Sequence, residues 1–96
     1  MSPTNKKRLN QIRKKLDQLD NKLISLIKVR KNLVDKVIKQ KQHKKEIIDK
    51  ERIKIILNRI KKKSINQGID PKITNRIWKN MIWSFIDYEK KIFKKK

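Results

Sequence analysis

Apolar residues recur along the first part of the chain in alternating steps of three and four: Leu9, Ile12, Leu16, Leu19, Leu23, Leu26, then Leu33 and Val37. This period is that of an amphipathic α-helix, and it predicts one long helix from about Asn5 to about Gln42, ended by the polar stretch QHKKE. Asp49 is placed to cap a second helix carrying Ile53, Ile56, Leu57 and Ile60, which fades at SINQG with Gly68 as its terminator. In GIDPK, Asp70 caps and Pro71 opens a third helix. Its broad apolar face carries Ile73, Ile77, Trp78, Met81, Ile82, Phe85, Ile86, Ile92 and Phe93. The expected fold class is all-α, with one long and two shorter helices in a single domain over 1–96 and frayed tails at 1–4 and 94–96.

A helix of about 38 residues is about 57 Å long, whereas a compact monomer of this size has a radius of gyration of about 12 to 13 Å. Two short helices of the same chain cannot cover such a seam. The pattern therefore predicts an intertwined helical homodimer with the long helices paired.

Composition changes this picture little. With 35% hydrophobic residues, one Gly and two Pro, the chain favours helices over a turn-rich β fold. It has no Cys, which excludes disulfides and thiolate metal sites. Its longest apolar run is three residues, and no apolar stretch near the N-terminus resembles a signal peptide, so the expectation is a cytoplasmic protein with no membrane association.

Charge adds more. Thirty Lys plus Arg against nine Asp plus Glu give a formal +21. The lysines are spread through every segment, and only Lys94, Lys95 and Lys96 form a bare basic end, so a solvated lysine-rich surface accounts for them better than a nucleic-acid patch. Such a surface also attracts small anions.

The informative charges are those on apolar faces. Position 30 falls on the first stripe, yet it is Arg. Lys41 follows eleven residues later, within about 20° of the same face. Arg52 opens the row Arg52, Ile56, Ile60, and Glu89 interrupts the row Trp78, Ile82, Phe85, Ile92. Arg13 borders the first stripe between Leu9 and Leu16. A buried, unpaired charge costs several kcal/mol, so each needs a partner. Glu89 neutralises at most one cation, and Asp17 or Asp20 can serve Arg13. Four cations against one inward acid leave a positive surplus that suits a ligand with more than one negative charge.

The segments IRKKLDQLDNKLISLIKVRKNLVDKVIKQK, IIDKERIKIIL and GIDPKITNRIWKNMIWSFIDYE resemble the all-helical, type II chorismate mutases across nearly the whole chain. Arg13, a downstream LD pair, Arg30 seventeen residues on, Lys41 eleven further, and Asp49 with Arg52 meet that family's intervals.

The resemblance implies the Claisen rearrangement of chorismate, a dicarboxylate, to prephenate for phenylalanine and tyrosine synthesis, with no cofactor and no metal. It also implies an intertwined dimer. Arg13 would reach across from the partner chain to one carboxylate, and Arg30 would hold the other. Lys41 would donate to the ether oxygen, Arg52 would line the pocket, and Asp49 would border the substrate hydroxyl or serve as helix cap.

Two departures stand out. Glu89 occupies the position where the family commonly has a Gln that donates to the ether oxygen, so it would have to be protonated. Burial would raise its pKa, whereas Lys41 and Arg30 would lower it. Ile53 stands where many relatives have a Glu that accepts from the substrate hydroxyl, a feature shared with the isochorismate pyruvate lyases that make salicylate. Those lyases also have a Trp in a neighbourhood like that of Trp83. The DKERI stretch together with Glu89 is more similar to small stand-alone mutases.

The mutase is thus the leading reading. The lyase and a non-enzymatic, nucleic-acid-binding helical dimer are the alternatives. Docking onto another shikimate-pathway enzyme is left open. His43 is expected to be solvated, and Trp78, Trp83 and Tyr88 to be packing residues.

Overall fold

A computed structural model of the chain describes residues 2–93; the basic end at Lys94, Lys95 and Lys96 lies outside the described residues. Three α-helices follow one another, with a 3-10 turn between the first two: α1 Pro3–Gln40, the turn Lys44–Ile47, α2 Lys50–Asn66 and α3 Pro71–Ile92. The described residues contain no strand.

α1 begins two residues ahead of the expected start, for a local reason. Ser2 Oγ accepts from the Asn5 amide at 3.2 Å and Pro3 takes the first helical position, where a missing N–H is harmless. The helix stops at Gln40 rather than Gln42, with the Lys41 amide closing onto Ile38 O at 3.2 Å.

The other ends follow their sequence signals. Asp49 Oδ1 accepts from the Arg52 amide at 3.0 Å, and Asp70 Oδ1 accepts from the Lys72 amide at 2.9 Å with Pro71 opening α3. At the end of α2, the Ile69 amide reaches Ser64 O at 2.8 Å and the Gly68 amide reaches Ile65 O at 3.1 Å. These two bonds form a Schellman motif, which needs a left-handed residue, and Gly68 supplies it with φ 71°.

The chain divides into two compact units, Met1–Leu33 and Val34–Lys96. The first consists of the α1 residues up to Leu33, and its stripe is open. Ile12, Leu16, Leu19, Leu23, Leu26 and Leu33 are each between 47 and 63% exposed.

The second unit holds the core. Ile38, Ile47, Ile56, Ile82 and Ile86 are buried, with Ile48, Ile53, Leu57, Ile60, Trp78, Ile92 and Phe93 packed against them. Ile47 lies in the 3-10 turn, so the polar stretch after α1 is not simply a break; one apolar residue pins it to the core. Where α2 and α3 meet, the buried Ser64 hydroxyl shares a 2.6 Å hydrogen bond with Thr74 and closes onto Ile60 O at 2.6 Å. The Tyr88 hydroxyl donates to Asp35 Oδ1 at 2.7 Å, joining α3 to the last turns of α1. No helix among the described residues is long and apolar enough to cross a membrane.

Candidate active site

In the second unit, Glu89 is the one charged residue among the described residues that is buried, at 7% exposure. It belongs to the inward face of α3 with Ile82 and Ile86, so the helical period that buries those isoleucines also buries its carboxyl. Burial pushes its pKa above the ordinary carboxylate value, while the Lys41 ammonium pulls the other way. Burial wins, so the proton is held more tightly than on a solvated glutamate.

Lys41 is half-buried and lies one residue beyond α1, so helical periodicity does not set its direction. Its orientation comes instead from backbone carbonyls: Nζ donates to Glu46 O at 2.7 Å and to Ile47 O at 3.4 Å. Lys41 and Glu89 are thereby brought into electrostatic reach of one another.

Arg52 differs from expectation. It is exposed, not inward, although Ile56 of the same row is buried and Ile60 half-buried. The reason is its place in the first turn of α2, before the packed residues begin at Ile53. Asp49 is also exposed and serves as the N-cap of α2. Ile53 is half-buried and packs against the core.

In the first unit, Arg30 is half-buried, with its Nε withdrawn from solvent, and Arg13 is exposed. The two sit on one continuous helix seventeen residues apart, about 25 Å along the axis. That separation is farther than two arginine side chains of one chain can bridge onto a single small dicarboxylate.

Trp78 is half-buried against the core and Tyr88 is half-buried with its bond to Asp35, as packing residues. Trp83 is 47% exposed. His43 is exposed. Among the described residues, no group of three His, Cys, Asp or Glu is arranged to hold a metal ion.

One residue escaped the sequence reading. The Glu46 carboxylate accepts from the amides of Gln42 at 2.8 Å and His43 at 3.2 Å, both on Oε2. The His43 amide bond, then that of Gln42, lowers its pKa. The available signal was its spacing, three residues beyond His43, which is the reach of a capping-box glutamate.

Residues 12–90 match the family model described as chorismate mutase type II. The chain belongs to that family. The matched span includes Arg13, Arg30, Lys41, Asp49, Arg52 and Glu89. Among relatives of this type II chorismate mutase family member, a chorismate mutase of Methanocaldococcus jannaschii is 38% identical over 76 residues, covering 78% of this chain and 77% of that protein. No solved structure is a significant match.

Proposed function

We propose that the chain is a chorismate mutase, an isomerase that converts chorismate to prephenate in aromatic amino acid biosynthesis, and that it acts as a homodimer. Family membership and the likeness to a curated chorismate mutase support the activity over the isochorismate lyase. The observation that carries the mechanism is the buried Glu89, its pKa raised by burial, within electrostatic reach of Lys41.

The rearrangement breaks one C–O bond and forms one C–C bond in a single concerted step, with no net redox change and no obligatory proton transfer. Catalysis therefore comes from holding the compact reactive conformer and from donors preset for the charge that grows on the ether oxygen. Lys41 supplies one donor, and neutral Glu89 the second. Arg30 grips one carboxylate. Arg13 arrives from the partner chain for the other, because the spacing along α1 keeps the two arginines of one chain from meeting on one substrate. Arg52 and Asp49, both exposed in the single chain, border the pocket. Ile53 leaves the substrate hydroxyl without the acceptor that a Glu would offer.

The open stripe of α1 supports the dimer. Burying a large aliphatic side chain is worth about 1.5 to 3 kcal/mol, and the stripe residues Ile12, Leu16, Leu19, Leu23, Leu26 and Leu33 all lie exposed. A second copy carries the matching stripe.

Incubation with chorismate and, separately, isochorismate, followed by product identification, tests the reading. Prephenate from chorismate is expected. Salicylate and pyruvate from isochorismate would establish the lyase instead. No product from either, together with tight and steeply salt-dependent nucleic-acid binding, would favour the basic dimer.

A further inference from the structure

The connection between α1 and α2 is built around one exposed acid. Lys41 carries its charge on a flexible four-carbon stem, which makes a poor fixed donor unless something holds it. Here the carbonyls of Glu46 and Ile47 hold it, at 2.7 and 3.4 Å. An ammonium has three N–H donors, so these two bonds do not exhaust it.

Those two carbonyls belong to a turn of only four residues, Lys44–Ile47, too short to fix itself by its own ladder. Two things fix it. Ile47, 2% exposed, anchors it in the core, and the Glu46 carboxylate clamps the amides of Gln42 and His43, the residues directly after Lys41. The Glu46 amide in turn donates to His43 O at 3.0 Å. Glu46 thus grips the backbone that carries Lys41 with its side chain and the Lys41 head group with its carbonyl.

We propose that Glu46 is a positioning residue for the rearrangement, its carboxylate clamp on Gln42 and His43 holding the turn whose carbonyls aim the Lys41 ammonium. This rests on the reading of Lys41 as the donor to the ether oxygen. Glu46 itself touches no substrate.

Steady-state kinetics on chorismate test it, with folding checked by circular dichroism. Glu46→Ala is expected to lower kcat about ten- to a hundredfold with KM changed less than about threefold, the pattern of a donor displaced from the transition state. Glu46→Gln should stay within about twofold of wild type, since its amide oxygen still accepts both N–H groups. Glu46→Asp, one methylene short, should fall between them, and it replaces the alanine variant if that fails to fold. In a Lys41→Ala background, Glu46→Ala should cost nothing more. Wild-type kcat in folded Glu46→Ala, or the same loss in both backgrounds, would overturn the proposal.

A second readout does not depend on turnover. Acylation of Lys41 by acetic anhydride, followed by peptide mass spectrometry, should rise in Glu46→Ala, and unchanged labelling overturns the clamp. If wild type fails to rearrange chorismate while Lys41 labelling still responds, the clamp stands and the functional reading falls.

Discussion

At the residue scale, Glu89 gives the proposed mechanism its pH dependence. Burial raises its pKa and the Lys41 charge only partly opposes this. The neutral form donates a hydrogen bond and the ionised form cannot. Turnover should therefore fall as pH rises through the raised pKa, and Glu89→Gln, which donates at every pH, should flatten that profile; a profile unchanged by the substitution removes Glu89 from the mechanism. Stability follows the same sign. The folded chain binds this proton more tightly than the unfolded one, so the associated stability is fully present below the ordinary carboxylate range and is lost as pH rises through the folded value. Thermal melts should accordingly show Glu89→Gln gaining on wild type in neutral buffer relative to acidic buffer.

The Glu89 position is also where sequence stopped short. Its inward face was legible from the period of α3, but the winner between burial and the neighbouring cation depends on distances that periodicity does not contain. Lys41 shows the converse limit. Its place on the stripe assumed a helix that continued through it, whereas α1 ends at Gln40 and carbonyls from the next turn set its direction. Arg52 fell on an inward row by counting, yet the first turn of a helix reaches beyond the core it leads into.

At the scale of elements, the ends of the helices were readable because each is written in local chemistry: Asp49, Asp70 with Pro71, and Gly68 act on amides and carbonyls within a few residues. Ser2 and Pro3 carried the same kind of signal for α1, and the apolar repeat, which starts later at Leu9, masked it. The 3-10 turn was not legible, since its fixing points are a side chain reaching back to Gln42 and His43 and one isoleucine packed against distant helices. The cap at Asp49 gives a quantitative check. Asp49→Ala should destabilise the fold by about 1 kcal/mol in denaturant titration, and Asp49→Ser should recover most of it. Equal stability of all three proteins would show that the cap contributes nothing.

At the scale of the whole molecule, the described core is small, five buried isoleucines and their neighbours, while α1 keeps its apolar stripe open. If the proposed homodimer covers this stripe, the unfolding midpoint should rise with protein concentration. Sedimentation equilibrium at micromolar concentration should give the dimer mass. A well-folded monomer there would contradict the assembly.

The central claim is that each substrate is held by Arg30 of one chain and Arg13 of the other, and subunit mixing tests it most directly. Arg13→Ala and Arg30→Ala should each be folded and inactive alone. Unfolded and refolded together in equal amounts, they should regain roughly a quarter of wild-type turnover, because about half the dimers are mixed and each then contains one site with both arginines intact. If both arginines served a site from the same chain, every site in the mixture would lack one of them, and no activity would return.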